Sequence, residues 1–524
     1  MNLILNNLRI PVEMDGRDEY RKAASQKLNV SETAIHIVKM LSKSLDAGNK
    51  EQFFYEIALV VQTSDSFDNK DNLPVYTDKT APAREPKNSA ERPVIIGFGP
   101  AGMFAALELI AYGLKPIIFE RGKKIEERSL DVQKFKKEKV LDPESNIQFG
   151  EGGAGSYSDG KLFSRRVNTE YISKVLDTFI QFGAPEEIGF VSKPHLGTDV
   201  LCKIVRNIRN YILEQGGEIH YCSKMTDILL SDNAVVGVVI NGKKEYHCSS
   251  IYLAVGHSAR DTFAMLHTKG MILEQKPISV GVRVEHPVEI INRMRYGEKY
   301  KDFPGIGAAL YSLNYTDRKI RKGVYTFCMC PGGEVINASS DHGMMVVNGM
   351  SYSRRASAFS NAGIVVTCKT DDYPSAGPLA GVEFQKDIEG KAFHAGGGKW
   401  AVPAQNLVDF LSGKASNRLN ENSCATGTVP VDMKEIFPAF VSDALVAAFM
   451  TWKKTYPLFV SPHAILIGAE TRTSAPLRIT RSEKFESVNI RNLYPIGEGS
   501  GYTGGITSSA ADAIRAVEAV LSAR

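Results

Sequence analysis

The chain has 524 residues, of which 43% are hydrophobic and 23% are charged, as in ordinary globular proteins. This length is too great for one hydrophobic core, so we expect two to four domains. The formal net charge of +4 gives no indication of nucleic-acid or anionic-membrane binding, and the seven scattered cysteines form neither a regular disulfide framework nor a paired zinc motif.

The N-terminal part is predicted to be a small α/β module over residues 1–62. Its predicted elements are two strands, 5–12 and 53–62, and two helices, 19–28 and 34–42. Residues 63–92 are polar and rich in Asp, Lys, Asn and Pro, which predicts a linker. The first residues lack the basic segment and long apolar core of a signal peptide, so we expect a cytoplasmic protein.

A glycine-rich turn at 97–102 carries the strongest functional signal. The apolar segment 93–96 precedes it and predicts a buried strand, and 103–109 follows it with helical character. A second strand is predicted over 116–119 and ends at Glu120. Strand, turn, helix, strand and acid at this spacing predict a dinucleotide site rather than a membrane span, the alternative being a glycine turn in another kind of α/β protein.

Each part of this turn has a physical role in that prediction. Gly97 permits the tight turn, Gly99 lets the backbone approach a pyrophosphate, and Gly102 lets the helix pack closely on the strand. The helix N-terminus offers unpaired N–H groups to the phosphates. Glu120 is predicted to accept a hydrogen bond from a ribose hydroxyl.

The C-terminal part repeats the arrangement of strand, acid and helix. A strand ending at Gly497 is followed by Glu498, and residues 507–521 have helical spacing. Glu498 is predicted to bind ribitol hydroxyls, and the N–H groups near Gly505 and Ile506 are predicted to face the flavin pyrimidine oxygen. Because NAD has no ribitol, this second set favours FAD, the alternative being a coincidental glycine loop.

These two sets place the nucleotide domain in two segments, 93–276 and 465–524. A strand over 250–256 also ends in a glycine turn and belongs to the first segment. Residues 277–464, with strand-like segments and Gly-Pro breaks, are predicted to be an inserted α+β substrate domain that covers the cofactor.

Over residues 93–524 the chain resembles FAD-dependent oxidoreductases with the glutathione-reductase-type nucleotide fold. More narrowly, it is similar to the uncharacterised bacterial FAD-dependent (NAD-utilizing) dehydrogenases. The motifs are GFGPAGMFAA at 97–106, ERG at 120–122, FGEGGAGSYSDGKL at 149–162, AVGHSARD at 254–261, FCMCPGGEV at 327–335 and GEGSGYTGGITSSAADA at 497–513. Related flavoproteins usually carry Asp where this chain has Glu498, which keeps the carboxylate on a longer arm.

The resemblance implies an α/β chain with a Rossmann-like FAD-binding domain of the glutathione-reductase type (GR2), and FAD as the cofactor. We expect the FAD to be bound non-covalently, because no His or Cys stands in a recognisable attachment motif. The resemblance also implies that Arg128 approaches the pyrophosphate, the alternative being a solvated helix arginine, and that the 150–155 loop contacts the isoalloxazine. With the motif residues above, the predicted cofactor-binding set includes Pro100, Ala101, Arg121, Arg128, Gly152, Gly153, Ala154, Gly155, Ser156, Asp159, Met225, Ala254, Gly256 and Gly497.

Three residues are predicted to be catalytic. Lys161, oriented by Asp159, could stabilise negative charge on reduced flavin or substrate, or form an ion pair that fixes its loop. Cys330, two residues after Cys328 on a predicted strand, is placed in the pocket as a redox partner or acid, the alternative being two small buried residues. His257 could donate a proton or be structural.

The predicted function is that of an FAD-dependent oxidoreductase acting on a small organic substrate, without a metal. With a single complete dinucleotide fingerprint, NAD(P)H would enter the substrate pocket only transiently as a reductant. One alternative is a flavin-dependent RNA-modifying enzyme, suggested by the N-terminal module and the basic run 318–322, although a nucleic-acid partner is not expected. The other is a non-enzymatic FAD-binding or redox-sensing protein. Oligomeric state is left open.

Overall fold

The computed structural model describes residues 1–64, 67–77, 84, 86–87, 92–162 and 169–522. In chain order, the strands are β1 (Asn2–Pro11), β2 (His36–Asp46), β3 (Phe54–Gln62), β4 (Val94–Ile96), β5 (Ile117–Phe119), β6 (Glu218–His220), β7 (Met225–Ser231), β8 (Ala234–Ile240), β9 (Lys244–His247), β10 (Ile251–Leu253), β11 (Leu273–Gln275), β12 (Ile278–Pro287), β13 (Asn314–Asp317), β14 (Lys322–Cys330), β15 (Glu334–Asn337), β16 (Val347–Met350), β17 (Phe359–Cys368), β18 (Val402–Asn406), β19 (Thr428–Pro430), β20 (Ile465–Glu470), β21 (Leu477–Ile479) and β22 (Leu493–Pro495). The α-helices are α1 (Arg17–Leu28), α2 (Pro100–Ala111), α3 (Ile125–Glu138), α4 (Thr169–Gln181), α5 (Thr198–Glu214), α6 (Arg260–Thr268), α7 (Val288–Tyr300), α8 (Ala380–Ala395), α9 (Leu407–Ser412), α10 (Ala439–Thr455) and α11 (Ile506–Ser522).

The N-terminal module is an antiparallel three-stranded sheet in the order β1-β3-β2, with α1 packed against β1. Strands β1 and β3 and helix α1 lie where they are predicted. The helix predicted over 34–42 is wrong, because this segment forms the edge strand β2. Most of β2 is partly exposed on both faces, so its apolar residues lack the clean alternation of a half-buried strand, and pairing with β3 decides its conformation.

A five-stranded sheet in the order β22-β10-β4-β5-β6 forms the second layer, and all its pairings are parallel. Helices α2 and α11 pack against each other beside it. The central strand β4 is wholly buried, as its continuous apolar sequence predicts. The sheet combines strands from the first and last parts of the predicted nucleotide domain, so the protein is a mixed α/β chain in which distant segments meet.

A seven-stranded sheet in the order β13-β14-β17-β12-β20-β18-β19 forms the largest layer. Only its β18–β19 pair is parallel among the pairings that the described residues form. Strand β20 belongs here, although the sequence placed residues from 465 onward with the nucleotide domain. The three-stranded and seven-stranded sheets contribute to one hydrophobic cluster, whereas α2 and α11 belong to another.

Within the described residues, no helix is long and apolar enough to cross a membrane.

Candidate functional site

A cavity of about 760 Å³ lies between the five-stranded and seven-stranded sheets. On one side it is lined by residues that follow four parallel strands, namely Gly97 after β4, Glu120 after β5, Ala254 after β10 and Glu498 after β22. On the other side β14 contributes Cys328. Ligands of open parallel sheets bind outside the carboxyl ends of the strands, so the cavity occupies the expected position for a ligand site.

The glycine turn is fixed by close backbone approaches. Gly97 has a φ of +97°, and a Cβ there would lie 2.4 Å from the carbonyl oxygen of Ala254. A Cβ on Gly102 would lie 2.0 Å from the carbonyl oxygen of Gly97. Helix α2 starts at Pro100, and Gly99, Pro100 and Ala101 line the cavity. The turn therefore directs a helix N-terminus, with its unpaired N–H groups, toward the cavity.

Glu120 connects three loops around this turn. Its side chain is buried and lines the cavity. One carboxylate oxygen accepts a hydrogen bond from the backbone N–H of Phe98 at 2.8 Å, and the other accepts from Gly122 at 2.9 Å and Gly150 at 3.0 Å. Because a carboxylate has about four lone-pair sites, it retains capacity for one further donor from a ligand.

Arg121 lines the same end of the cavity but is engaged by protein groups. Its guanidinium stacks 3.9 Å from the centroid of the Phe149 ring, pairs with Glu144 at 2.7 Å, and forms a bidentate pair with Asp261 at 2.9 and 3.0 Å. Lys224 pairs with the same two acids. Next to Lys224, Met225 lines the cavity as the first residue of β7. This charged network closes the cavity wall at that end.

Arg128 does not take the position that the resemblance implies. Its side chain is fully buried, so it is not solvated, and its guanidinium donates hydrogen bonds to the backbone carbonyls of Asn146, Ile147, Gly150 and Glu151. Burial lowers its pKa. Both sequence interpretations are corrected, because Arg128 supports the loop from behind rather than facing the cavity.

The glycine loop above Arg128 has an inner and an outer part. Gly153, Ala154 and Gly155 line the cavity. Gly152 and Ser156 pack against each other behind this lining, since a Cβ on Gly152 would lie 2.0 Å from the Ser156 hydroxyl oxygen. Gly152 and Ser156 are predicted to contact a cofactor, but the structure does not place them at the cavity wall.

The C-terminal turn closes the opposite end. Gly497 packs against Ala101, and a Cβ on Gly497 would lie 2.5 Å from the Cβ of Ala101. The backbone N–H of Gly497 donates a hydrogen bond to the Asp512 carboxylate at 2.9 Å. Glu498 lines the cavity, and the N–H of Gly505 donates to its carboxylate at 3.4 Å. Helix α11 begins at Ile506, so its N-terminus also lies at the cavity. Gly256 of the β10 turn completes this part of the lining.

Lys161 lies at the cavity in an ion-pair cluster. Its ammonium is 2.7 Å from Asp159, whose carboxylate also pairs with Arg355 at 2.5 Å. Burial alone would raise the pKa of Asp159, but Lys161 and Arg355 lower it. Burial alone would lower the pKa of Lys161, but the neighbouring Cys330, Asp159 and Cys328 raise it. The ion pair and the cavity position occur together, so the two interpretations of Lys161 are compatible.

The prediction that Cys330 lies in the pocket is wrong. Cys330 is fully buried, and its thiol donates to the carbonyl oxygen of Cys328 at 3.3 Å, whereas Cys328 lines the cavity. The pairing of β14 with β17 shifts register between Phe327 and Cys330. A bulge of this kind breaks the two-residue alternation on which the sequence argument depended.

His257 lines the cavity, as predicted from the turn after β10. Its Nδ1 lies 3.1 Å from the Ser258 hydroxyl. Burial lowers its pKa, and the charges of Arg472 and Arg260 oppose the raising effect of Glu498. The imidazole is therefore neutral near pH 7 and can accept a proton.

Sequence reasoning missed a buried charge cluster beside the cavity. Glu389 on α8 is fully buried between Arg260, at 2.6 Å, and Arg472, at 2.9 Å, and these arginines lower its pKa. Arg472 lines the cavity and also pairs with Asp341 at 3.0 Å. No local motif marks Glu389. Other cavity residues that the sequence did not single out include Lys276, Tyr325, Thr326, Asn348, Thr473, Ser474, Arg478 and Tyr502.

No group of three or more His, Cys, Asp or Glu side chains suited to a metal ion occurs among the residues that the structure describes.

Comparison with solved structures finds matches of low similarity. The flavin-dependent brominase Bmp2 is 15% identical with a TM-score of 0.38, covering 83% of this chain and 79% of its own. CtdE in complex with FAD is 11% identical with a TM-score of 0.32, covering 82% and 84%. The L-amino acid deaminase from Proteus vulgaris is 10% identical with a TM-score of 0.34, covering 85% and 92%. At TM-scores this low, these likenesses carry no inference about activity.

Sequence similarity is more informative. Residues 277–473 match the family model described as "FAD-dependent protein, C-terminal domain-like". An uncharacterized protein of Clostridium beijerinckii (strain ATCC 51743 / NCIMB 8052) is 40% identical over 535 residues, which cover 99% of both chains. The chain therefore belongs to the same family as this clostridial protein.

Proposed function

We propose that this protein binds FAD non-covalently in the cavity and is an oxidoreductase that passes hydride through flavin N5 to or from a small organic substrate. The observation that carries the proposal is the continuous cavity that joins the Gly97 turn and Glu120 to Glu498 and the start of α11. Its volume of about 760 Å³ is within the range of small-molecule and cofactor sites. The FAD-dependent domain match supports the same assignment.

The residues present fit this cofactor. The turn at Gly97 leaves no room for a side chain and presents the α2 N-terminus, which suits a pyrophosphate. Glu120 has acceptor capacity for a ribose hydroxyl, and Glu498 for ribitol hydroxyls. A Cβ on Gly505 would have no neighbouring atom within 4 Å, so the α11 N-terminus is accessible to a flavin ring.

When bound, FAD supplies the hydride chemistry, and the protein supplies position, charge and proton transfer. Lys161 places a positive charge at the cavity wall, where it stabilises an anion. His257, neutral near pH 7, is available to accept a proton. The buried Arg260–Glu389–Arg472 cluster holds the Arg472 guanidinium at the wall without leaving it unpaired.

The test is the absorption spectrum of the purified protein, followed by anaerobic addition of NADH and then NADPH. We expect the two visible bands of oxidised flavin. Bleaching by either nucleotide identifies a flavin that NAD(P)H reduces, whereas bands that neither nucleotide bleaches identify a flavin that its own substrate reduces. Absence of flavin from the purified protein, together with failure to bind added FAD, would contradict the proposal. Bound flavin that dithionite cannot reduce would favour a non-enzymatic role.

A pair of glycine substitutions tests the location of the cofactor. Gly97→Ala places a Cβ 2.4 Å from a carbonyl oxygen at the cavity, so we expect the FAD content per protein to fall about tenfold or more. Gly413→Ala is the matched control, because Gly413 also has a positive φ, of +66°, but no neighbouring atom within 4 Å of its Cβ. It should cost about 1 kcal/mol of stability and retain FAD. Equal loss of FAD in both variants would contradict the proposed location of the cofactor at this turn.

A further inference from the structure

Asn348 brings a side-chain amide to the cavity wall that lies opposite the strand ends. It belongs to β16, which pairs with β15 and packs against β12, β14, β17 and β20 of the seven-stranded sheet. Asn348 lines the cavity and is partly exposed, whereas its neighbours Val347 and Gly349 are buried. Its side chain therefore lies between the cavity and the sheet behind it.

The fully buried Arg283 of β12 fixes the orientation of this amide. The Oδ1 atom of Asn348 accepts hydrogen bonds from the Arg283 guanidinium at 2.9 Å and from the backbone N–H of Gly349 at 2.8 Å. A guanidinium has only donors, so the amide oxygen and not the amide nitrogen faces it. The Nδ2 group of Asn348 is consequently directed toward the cavity, and no acceptor for it occurs among the residues that the structure describes.

Arg283 is itself held by several partners, so it keeps the amide in this orientation. Its Nε lies 2.6 Å from Glu470, and its terminal nitrogens donate to Glu470 at 2.8 Å, to the Cys328 carbonyl oxygen at 2.8 Å and to Asn361 at 2.9 Å. Together with the bond to Asn348, these contacts engage every nitrogen of the guanidinium. Buried ion pairs contribute little net stability. The consequence of this one is a fixed donor at the cavity wall.

The same part of the wall carries a positive charge. Lys161 lines the cavity with its ammonium 2.7 Å from Asp159, and Asp159 also pairs with Arg355. The hydroxyl of Ser351, three residues after Asn348, donates to Asp159 at 2.5 Å, so the loop that carries Lys161 meets the end of β16. Because Lys161 and Arg355 share one carboxylate, these three charged side chains have one net positive charge.

We infer that Asn348 and Lys161 form a subsite for a carboxylate group of the substrate, so that the substrate is a small organic acid. The inference rests on the proposed function, because it assigns the strand-end wall to FAD and the opposite wall to the substrate. The FAD pyrophosphate has its own donors at the α2 N-terminus, which leaves this second site for an anion of the substrate. A fixed N–H donor beside a cation suits the two oxygens of a carboxylate.

The test is isothermal titration calorimetry of the full-length protein as purified with acetate, succinate and benzoate. Acetamide, succinamide and benzamide serve as the neutral counterparts. We expect at least one acid to bind about tenfold or more tightly than its amide, because hydrogen bonds to a charged acceptor are the stronger ones. Equal affinity for each acid and its amide, or no measurable binding of any of the acids, would overturn the inference.

Three variants that each lower the net charge by one locate the subsite. Asn348→Asp is nearly isosteric and keeps an oxygen for Arg283, but it replaces the donor with a second, repelling oxygen. The affinity for the acid should therefore fall about a hundredfold, and Lys161→Gln should lower it about tenfold. Lys224→Gln is the control at the end of the cavity that Arg121 closes, and it should change the affinity less than about threefold.

Lys161→Arg keeps the charge and should retain the affinity within about threefold. Circular dichroism verifies that each variant is folded. Equal losses in Asn348→Asp, Lys161→Gln and Lys224→Gln would show a non-specific effect of charge and would overturn the inference.

Flavin content is measured on the same samples, which separates this inference from the proposed function. Calorimetry reports binding of the acid whether or not flavin is present. Retained flavin without preference for the acids overturns this inference alone, whereas protein that neither contains nor takes up FAD contradicts the proposed function. Loss of flavin from Asn348→Asp with unchanged affinity for the acid would assign the amide to the cofactor and overturn the inference.

Discussion

Glu285 shows how a single buried carboxyl can set a pH dependence. It lies on β12 with its side chain fully buried, and its two oxygens accept hydrogen bonds from the backbone N–H and the hydroxyl of Ser423. Burial raises its pKa to about 7, although the Ser423 hydrogen bonds act in the opposite direction. The folded protein therefore holds this proton more tightly than the unfolded chain does.

The sign of the effect follows from linkage. Below the ordinary glutamate pKa of about 4.3, both states are protonated; as the pH rises to about 7, the unfolded state ionises first and folding loses stability. Glu285→Gln removes this loss of stability. As the pH rises from 4.5 to 8, the free energy of unfolding of the variant should therefore increase by up to ~3 kcal/mol relative to that of the unmodified protein. Urea unfolding across this pH range measures it. Glu470, with a pKa raised to about 7, titrates in both proteins and cancels in the difference.

The control for this pH series is Glu289→Gln, which changes an exposed carboxyl on α7 next to the same strand. Its stability difference from the unmodified protein should be independent of pH. Parallel stability curves for Glu285→Gln and the unmodified protein would show that Glu285 carries no such pH dependence.

At the scale of elements, the cavity depends on a loop that α3 holds in place. The segment 146–151 has no regular secondary structure, yet Arg128 binds four of its carbonyl oxygens at 2.6 to 3.2 Å. A Cβ on Gly150 would lie 2.4 Å from the Arg128 side chain, so the loop and the guanidinium fit without spare space. The loop in turn presents Gly153 to the turn at Gly99.

Arg128→Met should therefore destabilise the protein by ~3 kcal/mol or more, because it leaves several buried carbonyls without donors. It should also lower FAD affinity, through displacement of the loop. Arg206→Met on α5 is the control, since that arginine is about half exposed and its ion pair with Glu126 should contribute less than ~1 kcal/mol. Urea unfolding and limited proteolysis measure both variants. Equal unfolding midpoints would show that Arg128 does not support the loop.

At the scale of the whole molecule, the N-terminal module is not a separate unit on a linker. Phe53 stacks on Tyr300 of α7 with ring centroids 4.1 Å apart and contacts Tyr296 edge-on. The Tyr300 hydroxyl donates to Glu13 at 2.6 Å, and the Tyr55 hydroxyl donates to the carbonyl oxygen of Gly305 at 2.9 Å. The module thus shares its core with the seven-stranded sheet.

Phe53→Ala should consequently lower the free energy of unfolding of the shared core by ~3–5 kcal/mol. Leu130→Ala on α3 is the control, because Leu130 is 65% exposed and its loss should cost less than ~0.5 kcal/mol. Differential scanning calorimetry should show that the module and the seven-stranded sheet unfold in one transition, shifted to lower temperature in Phe53→Ala. A separate early transition that alone responds to Phe53→Ala would contradict the shared core.

Sequence predicts best where a constraint is local. The turn at Gly97 and the acid at Glu120 follow from spacing within one βαβ unit, and the structure has the corresponding strands and helix. Partners that are distant in the sequence cannot be predicted in this way. Glu389 forms ion pairs with Arg260 and Arg472, which lie on separate elements, and nothing in the sequence of α8 indicates these two partners. Arg128 binds carbonyls of a loop whose position depends on the tertiary fold.

Pairing between strands explains two of the failures. The edge strand β2 has no clear two-residue alternation of buried and exposed residues, so its own sequence does not distinguish a strand from a helix. Its pairing with β3 decides the conformation. Cys328 and Cys330, predicted to share one face of a strand, do not both line the cavity, because the pairing with β17 shifts register between Phe327 and Cys330. Such shifts depend on a partner strand and are absent from any local pattern.

The order of the five-stranded sheet has a consequence for synthesis on the ribosome. Strand β10 is translated long before its neighbour β22, and the entire seven-stranded sheet is made in between. During that interval the β10 edge of the growing chain is open to wrong pairing. Glu498 and the start of α11 leave the ribosome after most of the residues that line the cavity, so the cavity wall is incomplete in every nascent chain that ends before them. A cofactor that requires both ends of the cavity can thus stabilise the finished polypeptide and cannot guide its early intermediates.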